Sequence, residues 1–389
     1  MKHQTASGDN AKKVISYVLL VLLSQFWFAC KNYAEPPETN NPSANGVLAG
    51  SVLTYLGGLA SGGKILSGQQ NLTWDQSIDM VERVKSTTGL YPAIQGFDFM
   101  DYVNKTGTHT NADNQTVLAI QWWTNAKATG KHGLVTFCWH WRDPGRTSDN
   151  FYKYNYEGSV AKGVGDTMHI PLKNGAFDPT TAIGAQMKAD MDFIASELKI
   201  MKDAGVPVLW RPLHEGGGSG AGSGSGAWFW WGQDGGAAYN ALYVWMHDYF
   251  TNVKGLDNLI WVWNGQGSSF YPGSSYADIG GWDIYSKGDH GSQKSTLTAL
   301  RSITGNKLSA LTEVGSMPDP DNLASDSAAF VWFVTWNDGN GSDPDNNFWS
   351  GNFSASESTS NYPWNTPTLA RKVYSHANVI TLDELPADY

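Results

Sequence analysis

At 389 residues the chain can bury one large core or two ordinary ones. Its net charge of -10 argues against nucleic acid as a partner, because phosphate backbones reward basic patches. The 18 Trp and 17 Tyr beside only 16% charged residues suit a surface that stacks on flat, neutral, hydroxylated ligands, although many of these rings must also fill a core.

The N-terminus reads as a secretory signal. Lys12 and Lys13 precede an apolar stretch over 14–28, which ends at the small residue Ala29 and then Cys30. The stretch is short for a membrane span, which needs about 20 residues. A cysteine directly after the small residue has the form of a bacterial lipoprotein signal, with Trp27 and Phe28 bulkier than is usual there. The expectation is a signal peptide over 1–29, a lipid anchor on Cys30, a flexible tether over 30–46 and one folded domain over 47–389. The protein would then be secreted, held to a bacterial cell-envelope membrane only by its lipid, and monomeric. Cys138 lies in an apolar run and reads as an inert buried thiol, so no internal disulfide is expected.

Apolar runs and amphipathic segments alternate through the rest of the chain. Strands are predicted over 64–67, 91–100, 134–141, 206–210, 259–264, 279–285, 308–314 and 330–336. Helices are predicted over 75–87, capped by Thr73 and Asp75, and over 114–129, 181–204, 237–253, 294–303 and 366–377. Residues 142–180 lack periodicity and read as a long loop. Strands alternating with helices argue for parallel pairing through helical crossovers. Eight such units fit an α/β fold, the (β/α)8 barrel, with enlarged loops on the C-terminal face.

In that fold the C-terminal ends of all strands meet at one mouth. The polar residues that end the apolar runs should therefore converge: His140, His214, Glu215, Asn264, Asp283, Tyr285, Glu313, Trp336 and Asn337. Glu215 follows the fourth strand and Glu313 lies at the end of the seventh, nearly opposite across the mouth. Two facing carboxylates are what glycosidic cleavage requires, one protonated and one ionised. Tyr285 and Arg211 are the expected donors keeping Glu313 ionised, and an apolar setting near Trp228–Trp231 is expected to keep Glu215 protonated. A spacing of about 5–5.5 Å implies retention and about 6.5–9.5 Å implies inversion. His214 and Glu215 are neighbours, and strand alternation sends neighbours to opposite faces, so a bulge or strand end must turn one of them.

The motifs RPLHE, GAWFWWG, LIWVWN, GWDIY, LTEVG and FVTWN, in that order and each at a strand end, resemble glycoside hydrolase family 26, whose best-known members are β-mannanases. The resemblance runs from about Lys64 to the last helix. It implies a retaining barrel enzyme with Glu215 as acid/base and Glu313 as nucleophile. It further implies His140 and His214 on the sugar at the cleavage point, Tyr285 bonded to the nucleophile, Trp336 beneath that sugar, and Trp228 as the first tryptophan after the acid/base. Arg211 and Asp283 are supporting groups. The Gly/Ser tract between Glu215 and Trp228 is longer than in the similar members, and Asn337 stands where some members have a sugar-binding arginine.

The implied activity is endo-β-1,4-mannanase action on mannan, glucomannan or galactomannan. The alternatives are an exo-acting mannobiose-releasing enzyme, a β-glucanase or β-xylanase of the same family, and a non-catalytic glycan-capture lipoprotein. Neither a metal nor an organic cofactor is expected, because the chain has no HExxH pattern or cysteine cluster, and the Gly/Ser tract lacks a phosphate-loop lysine. Trp230 and Trp231 read as packing, and Asp98 and Asp101 as buttresses of the mouth.

Overall fold

The computed structural model describes residues 44–73, 79–104, 106–110, 114–153, 168–218, 227–337, 349 and 364–389. The predicted signal peptide, Cys30 and most of the predicted tether lie outside the described residues, as do Asp75 and Ile78.

Eight parallel strands close into a barrel. They are β1 (Gly68–Gln70), β2 (Ile94–Asp98), β3 (Leu134–Cys138), β4 (Val208–Arg211), β5 (Leu259–Trp263), β6 (Ile279–Ile284), β7 (Leu308–Val314) and β8 (Phe333–Thr335). Each strand pairs with its sequence neighbour, and β8 returns to β1 through Thr335 and Gln69. The helices are α1 (Ala44–Ser61), α2 (Met80–Thr88), α3 (Gln115–Asn125), α4 (Ala182–Asp203), α5 (Gly236–Asp248), α6 (Lys294–Thr304), α7 (Pro320–Ser325) and α8 (Pro367–Tyr374). This is the (β/α)8 barrel that the alternation predicts.

Three differences have physical causes. The first barrel strand is Gly68–Gln70, not 64–67; Ile65 and Leu66 instead pair with Val379 and Ile380 beside the barrel. The barrel strand was hidden because its residues are polar yet fully inside, with Gln69 and Gln70 buried. A side chain at Gly68 would meet the Phe333 carbonyl at 2.6 Å, so the close approach of β1 to β8 requires glycine. Secondly, α1 begins at Ala44, inside the predicted tether. Its Ala49, Val52, Leu56 and Leu59 form one buried stripe packed against β5 and β7. Burying Val52, Leu56 and Leu59 contributes about 1.5–3 kcal/mol each as an upper estimate. Thirdly, α2 is capped by Asp79, whose carboxylate accepts from the Val81 and Glu82 amides.

The connection from β5 to β6 has two short 3-10 turns, at Ser268–Phe270 and Ser274–Tyr276, and no α-helix. The long loop after β3 contains an antiparallel pair, Leu172–Lys173 with Ala176–Phe177, that its lack of periodicity concealed. Cys138 is buried and free, as read from its setting. Among the described residues no helix is long and apolar enough to cross a membrane.

Candidate active site

Arg211 closes β4, and the chain then leaves the strand path. Leu213 and Glu215 take left-handed backbone conformations, with φ of 51° and 54°. That conformation costs a non-glycine residue about 1–3 kcal/mol and persists only where surroundings enforce it. Here the Tyr239 hydroxyl donates to the Leu213 carbonyl at 2.8 Å, and the Trp231 indole to the His214 carbonyl at 2.8 Å. The Glu215 amide donates to the Asn264 carbonyl at 2.6 Å. The twist removes the alternation problem, because neighbouring His214 and Glu215 now both face the mouth. Gly232 passes so close that a Cβ there would lie 1.8 Å from the Gly216 carbonyl. The GAWFWWG segment can therefore cover the Glu215 turn only with glycine at its end.

A second irregularity prepares Glu313. β7 pairs with β6 as far as Leu311 with Trp282, then resumes at Glu313 with Asp283, leaving Thr312 as a bulge. The bulge turns both Thr312 and Glu313 inward. The Thr312 hydroxyl donates to Asp283 at 2.5 Å, and the Asn264 amide donates to the same carboxyl at 2.6 Å. Arg211 donates to Glu313 from one guanidinium nitrogen and to Asp283, at 3.2 Å, from the other. The Tyr285 hydroxyl donates to the second Glu313 oxygen at 2.5 Å, while the residue as a whole stays 42% exposed.

Glu215 is held from the other wall. The Trp228 indole N–H donates to its Oε2 at 2.7 Å. Glu215, Asp283 and Glu313 each place a carboxylate oxygen within 4.8 Å of the others. So close an approach of oxygens is compatible with the about 5–5.5 Å carboxyl spacing of direct attack.

Burial, reinforced by the charges of Asp283 and Glu313, pushes the Glu215 carboxyl well above its ordinary value. The same burial and Asp283 raise Glu313 to about 7, against the pull of Arg211 and Tyr285. This corrects one expectation. Arg211 and Tyr285 do stabilise the Glu313 carboxylate, but desolvation outweighs them, so both acids are raised and Glu313 the less. Arg211 itself stays charged: burial opposes its charge, and Glu313 and Asp283 more than restore it.

Three carboxylates in one place are also a possible cation cradle, but the Arg211 guanidinium already supplies positive charge between two of them. Asp98, Cys138 and His140 form another close group. There, burial raises the Cys138 thiol well above its ordinary value.

His140 and His214 lie together beyond β3 and β4, with ring centres 4.4 Å apart and Nε2 atoms 3.2 Å apart. Trp336, after β8, sits edge-on to His140 at 5.9 Å. Trp230 and Trp231 are fully buried, as packing residues should be. Asp101 accepts from Arg142. Asn337 donates to the Asn71 carbonyl at 2.9 Å and so ties β8 to the end of β1.

Sequence reasoning missed Phe151 and Phe229, whose rings approach His140 at 4.7 and 5.5 Å. Phe151 lies in the unpatterned loop, and no sequence signal distinguished it. The hydrogen bond from Trp228 to Glu215 is also unforeseen, because the sequence marks Trp228 as part of an apolar setting for Glu215 and not as a donor to it.

The sequence pattern of Glycosyl hydrolase family 26 matches residues 41–359. The chain belongs to this family. It is 33% identical over 89% of its length to a mannan endo-1,4-beta-mannosidase from Thermothelomyces thermophilus, and 30% identical over 77% of its length to mannan endo-1,4-beta-mannosidase B from Piromyces sp. It spans only 63% and 45% of those relatives' own lengths. Among solved structures, a beta-mannanase from a symbiotic protist of the termite Reticulitermes speratus, complexed with gluco-manno-oligosaccharide, matches with a TM-score of 0.71. It is 32% identical, over 92% of this chain and 99% of that one. The family thus agrees with the resemblance carried by the six strand-end motifs.

Proposed function

We propose that this family 26 protein is a retaining endo-β-1,4-mannanase that hydrolyses internal bonds of mannan, glucomannan or galactomannan. The observation that carries the reading is the pair of opposed carboxylates with oxygens within 4.8 Å, in unlike surroundings. Glu215 holds its proton more tightly and delivers it to the departing oxygen, while the Trp228 indole fixes its Oε2. Glu313, cradled by Arg211 and Tyr285, attacks the anomeric carbon once ionised. Glu215, now a base, then activates the water that releases the sugar. The ring of Trp336 stacks beneath the sugar at the cleavage point, and His140 and His214 bind its hydroxyls.

The test is a product profile over time on mannan, galactomannan, mixed-linkage glucan and xylan. The reading expects mannan cleavage to dominate, with a ladder of manno-oligosaccharides at early times. Mannobiose as the only early product would replace endo with exo action, and faster turnover of glucan or xylan would overturn the substrate assignment.

The pH profile follows from the two acids. The acid limb of kcat/KM reports ionisation of Glu313, near about 7 in the free protein, and the alkaline limb reports loss of the Glu215 proton. Tyr285→Phe removes a donor to the Glu313 carboxylate, so its pKa rises and the acid limb moves to higher pH. An acid limb that stayed in place would remove Glu313 as its source.

The same reading includes secretion and lipid attachment at Cys30, supported by the residues before it. Metabolic labelling with a radioactive fatty acid should mark the wild type and not Cys30→Ser.

A further inference from the structure

Asp98 was read as a buttress, and its position gives it a further task. It ends β2 with 2% exposure, and both of its oxygens accept from His140: Oδ1 from the backbone amide at 3.0 Å, and Oδ2 from Nδ1. Burial opposes a charge there, but His140 outweighs it and holds the Asp98 carboxyl below its ordinary value. The acceptor is therefore an ionised carboxylate, which takes a proton from His140 Nδ1 and offers none.

The second ring nitrogen of His140 faces His214 Nε2 at 3.2 Å, so one of the two must donate and the other accept. His214 decides which. It is 1% exposed, and burial, with the charge of Arg211, drives its pKa well below the ordinary value, so it carries a single N–H. Its Nδ1 is buried and meets no hydrogen-bond partner among the described residues. A proton placed there would be an orphaned buried donor, whereas at Nε2 it has an acceptor. The proton belongs on His214 Nε2, which leaves His140 Nε2 bare and its proton on Nδ1, against Asp98. The chain runs one way: His214 Nε2–H to His140 Nε2, and His140 Nδ1–H to Asp98.

We infer that Asp98 is a positioning residue of the glycosidic site, fixing through His140 the tautomers of both histidines and so the pose in which the two rings line the sugar's site. The clause about sugar rests on the proposed function; the tautomer assignment does not. Asp98→Asn keeps the shape but turns an N–H₂ toward one of the two His140 donors. His140 then accepts at Nδ1 and carries its proton on Nε2, facing His214.

The experiment is nitrogen-15 NMR of the imidazole rings in the full chain, with His140→Gln and His214→Gln to assign signals among the nine histidines. It is paired with kinetics of Asp98→Asn on whichever polysaccharide the wild type cleaves. The inference expects Nδ1–H at His140 and Nε2–H at His214 in the wild type, reversal at His140 in Asp98→Asn, and a fall in kcat/KM of about 10- to 100-fold. Asp98→Glu, which restores the carboxylate, should recover the wild-type tautomers and part of the rate. A wild-type His214 protonated at Nδ1, unchanged ring signals in Asp98→Asn, or kcat/KM within twofold of wild type would each overturn it. The wild-type spectrum stands as a test if Asp98→Asn does not fold. Correct tautomers without any cleavage of mannan would sink the proposed function and leave the assignment of Asp98 intact.

Discussion

Under the proposed mechanism, Glu313→Ala is expected to lower kcat on β-mannan by about 10⁴- to 10⁶-fold, whatever the leaving group, because no other group would replace the carboxylate that forms the covalent bond. Glu215→Ala should behave differently. On mannan, whose departing sugar hydroxyl needs a proton, kcat should fall by about 10²–10⁴-fold. On aryl mannosides with acidic phenols, which leave without a proton, formation of the glycosyl-enzyme should be nearly unimpaired. Its breakdown, which needs the same residue as base, should slow, and the intermediate should accumulate as a burst. A leaving-group series measured with both variants checks this. Equal sensitivity in the two would mean that the roles of Glu215 and Glu313 are not distinct, although Trp228 on one and Arg211 with Tyr285 on the other make their surroundings differ.

Arg211→Met is expected to cost about 3–5 kcal/mol of stability near neutral pH, because it leaves buried carboxylates without their cation. Arg211 is 3% exposed and bonded to both Asp283 and Glu313, so no solvent takes its place. The sign of the pH dependence follows from Glu313. Its folded pKa is raised from 4.5 to about 7, so its protonation favours the fold; that contribution is complete below about 4.5 and is lost as pH rises through about 7. Without Arg211 the pKa rises further, and the loss extends to higher pH. The deficit of the variant should therefore be small at pH 4 and grow through neutrality, as thermal or denaturant unfolding across pH would show. A deficit independent of pH would mean that Arg211 acts by packing alone.

The fold was legible wherever a strand is a run of apolar residues. β7 matches its predicted bounds, and β5 and β6 match within one residue, because Leu259–Trp263 and Leu308–Val314 announce their burial. β1 was not legible, because Gly68, Gln69 and Gln70 are buried through close backbone approach and not through apolar side chains. Helix α1 escaped because Gly46, Gly50, Gly57 and Gly58 weaken its helical signal and it borders a Pro/Asn-rich segment.

The strand-end positions foretold which polar residues come together at the mouth, but not how they are arranged there. The left-handed turn at Leu213 and Glu215, the bulge at Thr312 and the pairing of Asp98 with His140 are three-dimensional devices without a sequence period. The raised Glu313 likewise depends on how completely the barrel mouth excludes water, which side-chain identities alone do not state.

The most direct measurement is to trap the glycosyl-enzyme with a slow 2-deoxy-2-fluoro-mannoside and locate the adduct by peptide mass spectrometry. A single sugar ester on Glu313 is the predicted result. An ester on Glu215 or Asp283, or turnover with no adduct and an inverted product, would contradict the account.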